Sequence, residues 1–340
     1  MVNSLRKSQR LPAHAAVTAF CLLAAFCGDA RAVTRSGWVE RSISVGGQSR
    51  HYLMFVPDDL PQGAPVVLIL HGSHEGMRRM LDPDAGGVRE WPLLARREKF
   101  LLVVPNGTNL KSGDTAGDRQ DWRTSLPDPR QAALDRVDSG FILRMLDEVI
   151  RSRRADPSRI YLTGQSGGAV MAASLLLASP RRFAAAALFS SALPSVMAAG
   201  SGDYRPCPLM LVHGTADHLV PWAEAGRRYN GETVIPARES AGWWIVANRA
   251  DAVAPATTYL PDMDPRDGCR IRRTEYRPLK GGEAVVHYVV EGGGHAIPSR
   301  RHASSATSAS RRMTGNVCRD GEGAELAWAF LKGFRMLQEH

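Results

Sequence analysis

Long apolar stretches are scarce in this 340-residue chain. Ala15 to Phe26, AAVTAFCLLAAF, comes nearest to one and falls short of the ~20 residues that a bilayer-spanning helix takes. A stable membrane anchor is therefore not expected. Cysteine is also sparse, five in all, and no Cys/His spacing fits a zinc site, so no metal is expected. Arginines are scattered and form no basic stripe interleaved with aromatics, which excludes nucleic acid as the expected partner. No internal repeat and no second domain is legible. Composition excludes a disordered or fibrous chain, because hydrophobic residues make up 44 %.

The short apolar run has a different reading. Arg6, Lys7 and Arg10 precede it, and Ala30-Arg31-Ala32 follows with small residues where a signal peptidase cuts. Residues 1–32 read as a secretory signal peptide, leaving 33–340 as a single catalytic domain that is secreted or periplasmic. Cys21 and Cys27 each follow Phe, which disfavours a lipid-anchored cysteine. Removal of Arg6, Lys7, Arg10 and Arg31 together with Asp29 takes the net charge from +9 to near +6. Cys207, Cys269 and Cys318 then remain. Cys207 opens an apolar run and reads as a buried thiol; Cys269 and Cys318, in polar surroundings, are the favoured disulfide pair.

Short apolar runs alternate with longer amphipathic ones. Val66–Leu70, Leu101–Val104, Ile160–Leu162, Ala187–Ser190, Leu209–Val212 and Ala284–Val290 read as strands buried on both faces. Trp38–Val45 and His51–Val56 alternate and suit an antiparallel edge. Helical periodicity marks the segment through WPLLARREKF, Phe141–Ile150, Ala169–Leu177 and Leu326–Phe334. This alternation predicts an α/β fold with a mostly parallel central sheet and helices on both faces. His302–Arg312 and Asn106–Gln131 read as surface loops.

Gly164-Gln165-Ser166-Gly167-Gly168 lies between a predicted strand and a predicted helix. G-x-S-x-G in that setting is the nucleophile elbow of α/β-hydrolases, a turn that lifts the serine hydroxyl clear of the sheet. A serine hydroxyl needs a base, and the base an orienting acid, in chain order Ser, acid, His. Asp217 follows the run Leu209–Val212, and His295 follows the last strand behind three glycines. Asp251, Asp262 and Asp264 compete less well, because they lie in an irregular stretch with no strand before them. Among the histidines, His213 and His71 read as structural, His218 and His302 as loop residues, and His287 as a strand residue. The amides of Gly167 and Ser73, after the strand LILHGS, are the predicted oxyanion donors. Trp122 and Trp222 are candidate substrate contacts, with a core role as the alternative reading for each; of Trp243 and Trp244, at least one reads as core.

Taken in order, VLILHGS, DPSRIYLTGQSGGAVMA, MLVHGTADHLVPW and VVEGGGHAIP resemble the secreted polyhydroxybutyrate depolymerase and feruloyl esterase family of α/β-hydrolases. The resemblance implies a serine esterase with no cofactor. It implies Ser166 as nucleophile, Asp217 as acid, His295 as base, and Ser73 and Gly167 as oxyanion donors. The expected partner is an ester substrate, such as plant cell-wall feruloyl or acetyl esters or short polyester fragments. Many members have Cys where this chain has Ser73, and Trp where it has Ala296-Ile297. No linker or polymer-binding module is legible, which disfavours a solid polyester. A serine peptidase of the same fold and a non-catalytic secreted binding protein are the alternative readings.

Overall fold

The computed structural model describes residues 37–124, 137–153, 155–179, 181–199, 204–227, 233–302 and 313–336. The expected signal peptide 1–32 and most of the loop 302–312 lie outside the described residues, as does the end of the loop 106–131.

One ten-stranded sheet organises the chain, in the order β1-β2-β4-β3-β5-β6-β7-β12-β11-β10. Its centre is parallel: β3 (Val66–Leu70), β4 (Leu101–Pro105), β5 (Ile160–Gln165), β6 (Ala185–Phe189), β7 (Leu209–Gly214) and β12 (Val285–Glu291). An antiparallel pair, β1 (Trp38–Val45) and β2 (Gln48–Phe55), flanks one side. A second antiparallel pair, β10 (Ala256–Tyr259) and β11 (Arg270–Tyr276), flanks the other. A two-stranded ribbon, β8 (Gly226–Arg227) with β9 (Thr233–Val234), stands apart.

The central strands are apolar throughout because both faces are covered. In β3 every residue is buried. Val66, Leu68 and Leu70 enter one core, and Val67 and Ile69 enter the other. The first core is closed by α2 (Val137–Arg153), α3 (Gly167–Ala178) and α5 (Ala237–Ala247), with α4 (Ser195–Ala199) contributing Met197. The second is closed by α1 (Glu90–Glu98) and α6 (Gly323–Leu331). The fold is therefore the α/β arrangement that the alternating pattern predicts.

Three details differ from the sequence reading. Strand β10 precedes Asp262 and Asp264, so that stretch is not irregular throughout. Every residue of β10 is exposed, and in β11 only Ile271 and Thr274 are buried, so neither strand carries an apolar pattern. The last helix stops at Leu331; Phe334 lies beyond it and packs on Phe330 at 4.9 Å. Strand β6 begins two residues before the predicted Ala187 and ends at Phe189. Trp244 is buried, as expected for one member of its pair.

Cys269 and Cys318 form a disulfide, with Cα atoms 5.7 Å apart. Cys207 is a buried free thiol, and burial pushes its pKa up to about 12.

A fully buried ion pair ties the antiparallel flank to the loops above the parallel strands. On β2, Arg50 Nη2 donates to Asp138 Oδ1 at 2.6 Å and to the Asn106 carbonyl at 3.2 Å. Its guanidinium lies 4.3 Å from the Phe141 ring centre. Asp138, in the first turn of α2, also accepts from the Thr108 hydroxyl and the Arg123 amide. Removal of one member of such a pair leaves an uncompensated buried charge. Arg50→Met is therefore expected to lower unfolding free energy by about 3–5 kcal/mol, read from the urea midpoint. A loss well under 1 kcal/mol would contradict this account.

Candidate active site

Strand β5 runs straight into α3, and Ser166 makes the turn. Its backbone sits at φ 54°, ψ −122°, a left-handed conformation that a non-glycine residue adopts only under constraint. The Ser166 amide donates to the Phe189 carbonyl at 3.0 Å, and its carbonyl accepts from Ala169 at 3.0 Å and Val170 at 3.1 Å. Two glycines permit the turn. A Cβ on Gly164 would lie 2.5 Å from the Gly168 carbonyl oxygen, and one on Gly168 would collide with the carbonyls of Leu70 and His71. The start of α3 is thus pressed onto the end of β3.

That contact brings the loop after β3 beside the elbow. A Cβ on Gly167 would collide with the Ser73 hydroxyl and lie 3.1 Å from the Ser73 amide nitrogen. The rest of the loop is held by side chains. Trp122 donates its indole N–H to the His71 carbonyl at 2.8 Å, and its ring lies 4.4 Å from the His71 ring. The Gly107 amide donates to His71 Nε2 at 3.0 Å, so the proton sits on Nδ1, which donates to the Gly72 carbonyl at 2.8 Å. Burial lowers the His71 pKa and keeps this tautomer neutral. The Gly72 amide is taken by Glu75 Oε2 at 3.0 Å, and the His74 amide by Asp121 Oδ1 at 3.0 Å. The Ser73 amide donates to no group among the described residues. It is left beside Gly167, where an oxyanion would need a donor.

Asp217 and His295 meet beyond the ends of adjacent strands. Strands β7 and β12 pair in parallel up to Val290 opposite Gly214, and each continues into a loop that carries one of the two residues. His295 Nδ1 lies 2.7 Å from Asp217 Oδ2, and both side chains are buried. The other carboxylate oxygen accepts from the amides of Leu219 at 2.9 Å and Val220 at 2.8 Å. Burial opposes the Asp217 charge. The His295 hydrogen bond and charge outweigh it, with help from the Val220 amide, and hold the carboxyl below its ordinary range. Asp217 therefore stays ionised at neutral pH. Among the described residues the Ser166 hydroxyl and the His295 ring share no hydrogen bond; in unliganded enzymes this contact is commonly long and closes when substrate binds. Gly72, Gln165 and Ile297, each within two residues of Ser73, Ser166 or His295, line one small cavity of about 20 Å³, which those three residues themselves do not line.

The remaining sequence candidates separate clearly. Trp122 is only 3 % exposed and braces the loop after β3 through His71. Trp222 is half-buried, with its ring 6.0 Å from His213 and 5.8 Å from His287. His213 is buried; its Nε2 lies 2.9 Å from the Val220 carbonyl oxygen and 3.5 Å from Asp217 Oδ2. His218 is exposed, and His302 binds Glu90 at 2.7 Å. The clamps made by Glu75 and Asp121 and the His213 contact to Asp217 escaped the sequence reading, since no local motif marks them.

A profile of the phospholipase/carboxylesterase family matches residues 94–232, a stretch that contains Ser166 and Asp217. The chain has the α/β-hydrolase fold, and this match, with the esterases below, supports a carboxylic ester hydrolase. The chain is 27 % identical to feruloyl esterase D of Neurospora crassa over 266 residues, covering 76 % of this chain and 77 % of that one. Identity to poly(3-hydroxyalkanoate) depolymerase C of Paucimonas lemoignei is 26 %, over 72 % of this chain and 57 % of the depolymerase. The chain thus matches little more than half the length of that depolymerase. Among solved structures, an acetyl xylan esterase from Aspergillus awamori superposes with TM-score 0.54 at 17 % identity, covering 77 % of this chain and 96 % of that one, which supports the fold.

Buried neutral histidines give this hydrolase a pH-dependent stability. Burial pushes the His287 pKa down to about 3 and lowers that of His213 as well. The unfolded chain binds protons at these sites below the ordinary value of ~6.5, while the native chain does not. Stability is therefore fully present above pH ~6.5 and is lost as pH falls toward 3, at up to ~1.4 kcal/mol per pH unit from His287 alone. Urea midpoints at pH 7 and pH 5 measure this slope, and His287→Gln is expected to flatten it; an unchanged slope in the variant counts against the assignment.

Proposed function

We propose that this hydrolase is a secreted serine esterase that uses Ser166 as nucleophile, His295 as general base and acid, and Asp217 as the orienting acid. The observation that carries this reading is the 2.7 Å pair of His295 and Asp217 beyond the carboxyl ends of β12 and β7, with the strained Ser166 elbow beyond the carboxyl end of β5 in the same parallel sheet. His295 Nδ1–H donates to Asp217, which leaves Nε2 free to accept the serine proton as Oγ attacks the ester carbonyl. The amides of Gly167 and Ser73 stabilise the tetrahedral oxyanion, and each such donor is worth about 3 kcal/mol of the barrier. His295 then protonates the departing alcohol. The acyl group remains on Ser166 until a water, activated by the same imidazole, releases the acid.

The substrates we infer are carboxylic esters of feruloyl, acetyl or hydroxyalkanoate type, in keeping with the relatives named above. We assign substrate contact to Trp222, which is half-buried with its ring 6.0 Å from that of His213. Residues 33–340 are read as one catalytic domain released to the exterior or periplasm after removal of residues 1–32. The chemistry proposed needs no cofactor or metal.

A chromogenic short-chain ester and a fluorophosphonate probe test the reading together. Ser166→Ala should retain the fold, lose labelling and fall to background hydrolysis. Asp217→Asn should keep the serine but lower kcat by about 10⁴-fold, since the wrong imidazole tautomer is then favoured. Undiminished turnover in Ser166→Ala would overturn the nucleophile assignment.

A further inference from the structure

Asp217 and His295 stand on loops from neighbouring strands, and a third segment packs against both. The His295 amide donates to the Thr314 carbonyl, the Gly294 amide to Asn316 at 2.8 Å, and the Ser299 amide to Cys318 at 2.9 Å. Approach is so close that a Cβ on Gly294 would collide with the Thr314 carbonyl and lie 2.7 Å from Gly315 Cα. On its other side the segment meets the acid loop. A Cβ on Gly315, whose φ is +76°, would lie 3.7 Å from His218 Cε1 and 3.8 Å from the Ala216 carbonyl oxygen. Residues 314–318 therefore form the backing of both loops that bear the His–Asp pair.

Residues 315–319 are neither helix nor strand, so no ladder fixes them to the sheet. Their anchors converge on the turn before β11. Asn316 Nδ2 donates to the Asp267 carbonyl at 2.6 Å, and the Arg319 amide to Asp267 Oδ2 at 2.8 Å. Asp267 Oδ1 accepts from the Cys269 amide at 2.9 Å, and Cys269 is bonded to Cys318. The disulfide is the one covalent link between this irregular segment and the sheet among the described residues.

We propose that the Cys269–Cys318 bond is a positioning device for catalysis: through residues 314–318 it sets where His295 and Asp217 stand relative to Ser166. The proposal rests on the reading of those three residues given above. Neither cysteine touches the reacting atoms, so the effect acts through placement. Displacement of a base by about 1 Å can cost about 10²-fold in rate, while substrate binding at a distance from it is spared.

The test is the Cys269→Ser/Cys318→Ser double variant, assayed on an aryl acetate well below its melting temperature. Expected are a kcat lower by about 10–100-fold, KM within about twofold of the parent, and slower fluorophosphonate labelling of Ser166. The low-field proton resonance of the His295–Asp217 hydrogen bond should broaden or vanish. Gly315→Ala, which keeps the disulfide but pushes the segment off Gly294, should reproduce the same split between kcat and KM. If the double variant does not fold, the parent assayed before and after mild reduction of the Cys269–Cys318 bond carries the test, and an unchanged kcat after reduction overturns the proposal. Parental kcat and an intact low-field proton in a folded variant would overturn the proposal, whatever happens to the melting temperature. A parent protein that neither hydrolyses esters nor accepts the probe would overturn the esterase reading itself, which the variants do not address.

Discussion

The contact of Gly168 with the carbonyls of Leu70 and His71 is the constraint on which the site depends. It forces α3 against the end of β3 with no side chain between them. Two consequences are inseparable from it. The turn at Ser166 must take up a positive φ, and the loop after β3 must pass close enough for Ser73 to lie against Gly167. A single methyl group at position 168 would part the elbow from the loop. The strained turn at Ser166 and the Ser73 amide beside Gly167 thus have one structural cause.

Electrostatics around the site follow from unequal burial. His71, His213 and His287 are all held below their ordinary pKa by loss of solvent. Of His71, His213, His287 and His295, it is His295 whose ring nitrogen has a carboxylate oxygen within 3 Å, with Asp217 itself ionised by the groups around it. Several imidazoles near one rim therefore do different work. His71 is a neutral spacer whose two nitrogens fix a loop, and His295 is a ring with a charge partner. Residue type alone does not distinguish them; their surroundings do.

Much of this was readable from sequence because burial on both faces leaves a mark in composition. The strands of the sheet centre appear as unbroken apolar runs, and Ser166, Asp217 and His295 each follow one of them. Strands β10 and β11 left no such mark, since one is wholly exposed and the other buries only Ile271 and Thr274. Long-range clamps are illegible for another reason. Trp122 reaches His71 across 51 residues, and its indole could equally have filled a core or met a ligand. The segment at Thr314–Cys318 carried one hint, the cysteine, whose partner followed from polar surroundings. Its contact with the His295 loop depends on backbone groups that every residue possesses.

Cys207 has a bearing on that same crosslink. An odd thiol in oxidising conditions can attack an existing disulfide and shuffle the bonds. Only the thiolate attacks, and with a pKa near 12 the thiolate fraction is about one in ten thousand at pH 8. Cys207 is also buried, with 8 % of its surface exposed. Once folded, the molecule is kinetically shielded from scrambling by its own spare sulfur, so the correct bridge, once made, persists.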